Sequence, residues 1–323
     1  MQSIPCALCG ADRHKPVFTG KDRDWGSGDT FTLVRCSECG LVYVNPCPDA
    51  VEMNKYYPKD NWGRAKNKVA EENAIINGAH WTVAAGERAS TILDLGIKGS
   101  VLDVGCGDGF LLLYLSRLGW DCYGVEPGEV AADYARTVLG LNVRTGILEE
   151  AGYPDSSFDV VCFHHVFEHL RNPAATLAEV GRVLKSGGYL VIFVPNFGSI
   201  DRKLFGTKWV GLKLPQHLFH YTGRTLRAML EKYGFVFHSV KYRSYEAKST
   251  MYYSESLRHT LQDFGLYPQK NVPCAEDDGA VDKGPAGWKS ILQFFERGVF
   301  KSVGFFSDAL GLGSNMIMVV RKK

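Results

Sequence analysis

Val101-Leu102-Asp103-Val104-Gly105-Cys106-Gly107-Asp108-Gly109-Phe110 is an apolar run that ends in an acid and three alternate glycines. Val101–Val104 predicts a buried strand, and the glycines predict a tight turn that opens a helix. Glycine lets the backbone approach a bound group without Cβ interference. Such a turn serves dinucleotides among other ligands, and two details bear on the choice. An acid, Asp103, stands before the glycines, and Phe110 occupies a position where G-x-G-x-x-G spacing wants room for a phosphate.

Outward from this stretch, short apolar runs alternate with helical ones: Cys122–Val125, Val143–Arg144, Val160–Phe163 and Tyr189–Val194. Strands separated by helices of that length predict a parallel, doubly wound sheet. Glu126 follows the second run, roughly twenty residues past the glycines, where a carboxylate can accept both hydroxyls of a ribose. Thr222–Tyr233 reads as a further helix, with Thr222 as its N-cap and Gly234 as its stop. Val236–Tyr242 and Asn315–Arg321 read as the last two strands.

Together these segments resemble the class I S-adenosylmethionine (SAM)-dependent methyltransferases. The resemblance continues through Ser157-Phe158-Asp159-Val160-Val161, Phe167-Glu168-His169-Leu170, Arg182–Leu190 and Pro195-Asn196, over about residues 100–240. It implies a Rossmann-like α/β fold, a mostly parallel sheet with a final antiparallel strand, and SAM as cofactor. The implied cofactor site comprises Asp103, Gly105, Cys106, Gly107, Gly109, Phe110, Glu126, Pro127 and His164. Many relatives carry an Asp after the third strand for the adenine amine, and here Ile147 stands in that place. Ile147 and Leu148 are the expected apolar neighbours of adenine, with Glu149 the weaker candidate.

Toward the N-terminus, Cys6-x-x-Cys9 and Cys36-x-x-Cys39 each precede a glycine, Gly10 and Gly40. Two such pairs suit one tetrahedral zinc with no open position, which contributes folding energy and no chemistry. Four reduced buried thiols are the plain alternative. With Leu41–Pro46 and Tyr56-Tyr57 behind them, the cysteines resemble zinc-containing bacterial methyltransferases of polysaccharide and secondary-metabolite pathways. The expected organisation is a zinc module over 1–48, a helical connector over 49–98 with apolar positions at helical spacing in Ala79–Leu95, and a methyltransferase domain over 99–323.

Phe163–His169 places His165, Glu168 and His169 at the C-terminal edge of the sheet, where ligands of open α/β folds bind. Leu214–Tyr221 adds His217, His220 and Tyr221. One reading makes His165, His169 or His217 a general base for an acceptor hydroxyl or amine. A second reading sets His165, Glu168 and His169 on one helix face at i, i+3 and i+4, with His217, around a second divalent ion. It resembles the E-x-x-E-H motif of small-RNA and polyprenol-quinone methyltransferases, with His165 replacing the first Glu. Helix capping by Glu168 and His169 is the third.

Across 323 residues, 45% hydrophobic, a formal charge of +2 gives no general attraction to nucleic acid. The polar start shows no secretory signal and no run of ~18 apolar residues spans a membrane, so the expected location is cytoplasmic. An insert over 244–313 has a Pro-, Gly- and Asp-rich middle, Pro268–Gly287, read as a loop. Its second half, Trp288–Leu312, is aromatic and reads as a core-packing helix, a homodimer face or a membrane-surface contact. The leading expectation is methyl transfer to a small-molecule acceptor, a sugar or other metabolite hydroxyl. RNA is the enzymatic rival, and a noncatalytic SAM-binding interaction protein the nonenzymatic one.

Overall fold

The computed structural model describes residues 1–25, 27–57, 79–244, 251–266 and 301–323. Their contacts divide into two compact units that interleave along the chain. The first comprises Met1–Pro58, Pro195–Thr225 and Lys241–Met316, and the second Lys59–Val194, Leu226–Val240 and Ile317–Lys323.

In the first unit, β1 (His14–Lys21), β2 (Thr30–Cys36), β3 (Val42–Val44) and β9 (Phe219–His220) form an antiparallel sheet in the order β1-β2-β3-β9. Phe31–Arg35, rich in aromatic and β-branched residues, lies within β2, and Val42–Val44 of the Leu41–Pro46 run forms β3. The β1 strand, whose residues mix proline and charge, carried no sequence signal. Helix α1 (Ala50–Met53) opens on a capping box in which Asp49 and Glu52 exchange hydrogen bonds.

The second unit carries the seven-stranded sheet, in the order β10-β11-β8-β7-β4-β5-β6. Its strands are β4 (Ser100–Val104), β5 (Asp121–Glu126), β6 (Asn142–Thr145), β7 (Phe158–His164), β8 (Leu184–Pro195), β10 (Phe235–Arg243) and β11 (Asn315–Lys322). Neighbours β6-β5-β4-β7-β8 are parallel. The expected strands are all present, and five parallel strands with helices between them make a Rossmann-like α/β fold. Helices α2 (Ala79–Leu93), α3 (Phe110–Arg117), α4 (Glu129–Thr137) and α5 (Pro173–Val183) connect or flank these strands. Leu111, Leu112, Leu115, Val101, Val160, Val191 and Ile317 share one buried core with Ala89 and Ile92 of α2. Each fully buried aliphatic chain of this kind contributes about 1.5–3 kcal/mol.

The sheet's two edges use acids differently. At its N-terminal edge, Asp159 accepts from the Ser100 amide (2.9 Å), the Ser100 hydroxyl (2.9 Å) and Lys185 Nζ (2.7 Å), which braces β4 against β7. At its C-terminal edge the acids are Asp103 and Glu126.

Helices α6 (Ile200–Phe205), α7 (Gly223–Lys232), α8 (Met251–Asp263) and α9 (Lys301–Ala309) complete the described elements. Thr222 caps α7 as expected, in reciprocal bonds with Thr225. The loop expected over Pro268–Gly287, and Trp288–Phe300 with it, lie outside the described residues. In α9 the aromatic side chains face outward: Phe305 is 73% exposed and Phe306 65%, while Ser307 is buried. Small residues make the inward contact, the Ser307 hydroxyl meeting Ser244 at 2.8 Å. The core-packing reading of these two phenylalanines is therefore corrected, because Gly304 and Ser307 turn the narrow face of the helix inward. Among the described residues no helix is long and apolar enough to cross a membrane.

Candidate active site and metal centre

The C-terminal ends of β6, β5, β4 and β7, neighbours in the sheet, bring one group of the expected residues together. After β4, Gly105, Gly107 and Gly109 all take positive φ (74°, 54° and 82°). A Cβ on Gly105 would meet Val166 at 2.5 Å, and one on Gly109 would meet Leu141 at 2.7 Å. At Gly107 it would meet nothing within 4 Å, so the middle of the turn opens onto space that a ligand can fill. The turn is closed by Gly105 and Gly109 amides donating to the Val125 and Cys106 carbonyls. Phe110 then begins α3.

Glu126 ends β5 with 2% of its surface exposed, and its carboxylate is gripped by two amides, Gly107 to Oε2 (2.9 Å) and Gly128 to Oε1 (2.7 Å). Burial raises its pKa, against these two amides. Each carboxylate oxygen has a second lone pair, so the grip fixes the group and leaves it able to accept hydroxyls. Pro127 follows, outside the strand. Past β6, Ile147 is 47% exposed whereas Leu148 is buried. Ile147 is thus the residue with apolar surface to offer, and Glu149 is engaged by the Thr176 hydroxyl of α5.

Asp103 lies beneath the turn, 3% exposed, its Oδ1 3.4 Å from the Cys162 thiol. Burial lifts its pKa to about 7. His164 ends β7 with both ring nitrogens buried and unpartnered, its ring stacked on Phe193 at 5.5 Å. Burial, then Arg88, depresses it to about 3, so the ring is neutral. Arg88, on α2, acts on both Asp103 and His164. No motif marked Arg88, since nothing in a helical connector distinguishes one exposed arginine. Cys106 turns its sulfur inward: a Cβ on Gly124 would lie 2.7 Å from it, so only its backbone can serve a ligand. Gly124 was missed, although a glycine within a strand does signal close approach.

His165 departs from the helix-face reading. It has a positive φ of 53°, and Phe167–His169 is a single 3-10 turn, so i, i+3 and i+4 do not share a helix here. The turn nevertheless brings His165 Nδ1 to 3.2 Å from Glu168 Oε1. Glu168 is 1% exposed, and His165 packs edge-on against Phe193 at 4.6 Å. A carboxylate accepting from Nδ1–H makes Nε2 the basic nitrogen. His169 closes the same turn, its amide donating to the Val166 carbonyl.

His217, His220 and Tyr221 belong to the first unit. His217 is buried with Nδ1 2.9 Å from the Gly211 carbonyl, which sets its tautomer. His220 is buried between Phe197 (5.4 Å) and His217 (6.5 Å), its Nε2 unpartnered, and burial holds it near a pKa of about 3. Tyr221 is fully buried beside Phe219. A histidine that ionises so reluctantly suits hydrogen bonding better than proton abstraction at neutral pH.

The first unit also gathers the four expected cysteines. Cys6 Sγ lies 3.4 Å from Cys39 Sγ, Cys9 Sγ lies 3.4 Å from Cys36 Sγ, and all four sulfurs fall within 4.8 Å of one another. Disulfide sulfurs would sit at about 2.05 Å. The edge of a tetrahedron with Zn–S bonds of about 2.3 Å is about 3.8 Å, which these separations approach. Burial opposes ionisation of Cys36, but the amides of Cys39 and Glu38 bring it down to about 7. Burial raises Cys6 and Cys39, against the amides of Cys9 and Leu8 for the first and Leu41 for the second. Gly10 and Gly40, at φ 79° and 81°, make the turns that aim these amides. The donor set fits a thiophilic divalent ion.

The match of residues 83–240 to a family model described as a methyltransferase domain decides between the nucleotide-binding readings of the glycine turn. Residues 83–240 are thus similar to a methyltransferase domain. Its relatives include a ubiquinone biosynthesis O-methyltransferase of Maricaulis maris, 32% identical over 37% of this chain and 51% of that protein. Another is an uncharacterized methyltransferase of Schizosaccharomyces pombe, 34% identical over 28% of this chain and 37% of that protein. The chain thus spans about half or less of the length of these relatives. A solved SAM-dependent methyltransferase from Archaeoglobus fulgidus overlays with a TM-score of 0.47 at 18% identity, over 74% of this chain and 92% of that one.

Proposed function

We propose that this chain transfers a methyl group from SAM to a hydroxyl of a small-molecule acceptor. His165 is the base, Glu168 its orienting carboxylate, and zinc at Cys6, Cys9, Cys36 and Cys39 a structural ion. The observation that carries the reading is the shared edge of four parallel strands. There the methyltransferase domain sets the open glycine turn, the amide-gripped Glu126 and the His165–Glu168 pair on successive strand ends. A hydroxyl acceptor accords with the relatives named as ubiquinone biosynthesis O-methyltransferases.

SAM supplies a methyl group already activated on a sulfonium, so the chain contributes positioning more than bond-breaking power. Glu126 accepts ribose hydroxyls, the turn at Gly105–Gly109 admits the methionyl part, and Ile147 offers adenine an apolar face. Arg88 provides a positive charge near the turn, while the neutral His164 adds no repulsion toward a cation. His165 takes the acceptor's proton through Nε2 as the oxygen becomes nucleophilic, and Glu168 stabilises the imidazolium that results.

Incubation with methyl-labelled SAM and a panel of hydroxylated acceptors, sugar nucleotides and phenols included, tests this. Labelled O-methyl product is expected, with turnover falling about 100-fold in His165→Ala while SAM affinity stays within threefold. SAM binding without transfer to any acceptor would instead favour an interaction protein.

A further inference from the structure

At the N-terminal edge of the seven-stranded sheet, the start of β8, the start of β10 and the end of β11 enclose a cavity of about 450 Å³ within the second unit. That volume lies in the range of small-ligand sites, roughly 300–1,000 Å³. Arg321, Lys322 and Lys323 line it beside His238, Phe237 and Ser186, and none of its lining side chains is acidic. Among the described residues no carboxylate pairs with the three cations. The acids of adjoining segments are taken, Asp159 by Lys185 at 2.7 Å and Glu231 by Arg227 at 2.7 Å.

The basic groups are held in place by contacts of their own. Arg321 Nε donates to the Gly187 carbonyl at 2.8 Å, and Lys322 Nζ donates to the Leu184 carbonyl at 2.7 Å. Gly187 has a φ of 75°, and a Cβ there would come within 2.8 Å of Arg321 Nη2, so a glycine leaves the guanidinium its seat. The Tyr189 ring separates Arg321, 5.7 Å from its centroid, from His238, which meets it edge-on at 5.3 Å. Only one of the five guanidinium N–H groups is spent on Gly187, and the terminal nitrogens keep theirs for a ligand.

We propose that this cavity binds a small phosphate-bearing anion. The planar fork of Arg321 matches two phosphate oxygens at once, and Lys322 and Lys323 add point charges that no carboxylate of the chain neutralises. Phe237, half-buried on β10, offers the rest of the ligand an apolar wall. A concave site of this volume takes a phosphorylated metabolite, whereas a nucleic acid strand calls for a groove of cations with aromatic platforms along it. The cavity lies at the edge of the sheet opposite Glu126 and the glycine turn, so the inference does not rest on the methyl-transfer reading.

Calorimetric titration of the full-length protein with inorganic pyrophosphate tests the proposal. One saturable site per chain is expected, weakening as chloride rises because the contacts are ionic. Arg321→Gln loses the charge and the fork, and is expected to bind pyrophosphate about tenfold more weakly or worse. Lys323→Gln, at an exposed position whose side chain makes no hydrogen bond among the described residues, is expected to lose about threefold, and it keeps the test open should Arg321 prove necessary for folding. Both variants should melt within a few degrees of the wild type. Saturating S-adenosylhomocysteine should leave pyrophosphate affinity unchanged, since the glycine turn lies at the other edge. Absence of saturable binding, wild-type affinity in both variants, or competition between pyrophosphate and S-adenosylhomocysteine overturns the proposal. So does an RNA oligonucleotide that displaces pyrophosphate at far lower concentration, which would make this edge a nucleic-acid surface.

Discussion

The glycine turn of the second unit and the cysteine cluster of the first use one device for different ends. In both, turns with glycines at positive φ, Gly107 in the one and Gly10 and Gly40 in the other, help backbone amides converge on an anion. At Gly107 and Gly128 the amides grip the carboxylate of Glu126, and the anion belongs to the protein before any ligand arrives. At Cys9, Leu8, Glu38 and Cys39 the amides address sulfurs that become fully anionic only with a metal. The first site is preorganised by the chain itself, whereas the second, on the proposed metal reading, is completed by a bound ion.

That difference sets the size of the expected effects. Removal of the metal should act most strongly: chelation or Cys36→Ser is expected to lower the melting temperature by about 10 °C or more, because a structural ion contributes folding free energy. In hydrogen exchange, amides of residues 217–221 should lose protection with it, since β9 is held to the cysteine module through β3. Full protection of that segment after complete metal loss would show the module to be as self-sufficient as the glycine turn.

Glu126→Ala comes next. The carboxylate is the anion of a ready-made site, and its loss is expected to weaken SAM binding about 100-fold by calorimetry, the equivalent of one or two hydrogen bonds to a charged group. A change of less than threefold would mean that the amide-gripped carboxylate serves the turn and not the ligand.

The smallest effect concerns Asp103. Its pKa stands near 7 in the folded chain against roughly 4 when unfolded. The folded state therefore binds the proton more tightly, and the stability linked to this group is present below pH 4 and lost as pH rises through 7. Asp103→Asn removes this dependence, so its melting temperature is expected to gain on the wild type by a few degrees between pH 5 and pH 8. Parallel pH profiles for the two proteins would place Asp103 in a more polar setting than its 3% exposure implies.

Much of the fold was legible because its signals are local. The run at Val101–Val104, the glycines after it and the acid at 126 specify strand, turn and crest within a short span, and each appears where expected. The two C-x-x-C pairs are equally local, although their meeting required the hairpin of β1 and β2. The helix face assigned to His165, Glu168 and His169 was misread, because a residue at positive φ and a single 3-10 turn leave no trace in side-chain spacing. Arg88 and Gly124 were passed over for a related reason: each matters through what lies opposite it, in an element distant along the chain.

By itself, then, the sequence determined the parallel sheet, the glycine turn with its two acids, and the pairing of cysteines, since hydrophobic period, glycine freedom and ligand spacing all act over a few residues. Only the tertiary structure decided which polar groups lost their water. Burial made Asp103 reluctant to ionise, kept His164 and His220 neutral, paired His165 with Glu168, and left the Tyr43 hydroxyl without a hydrogen-bond partner. Desolvation depends on every neighbour in space at once, and no window of sequence contains those neighbours.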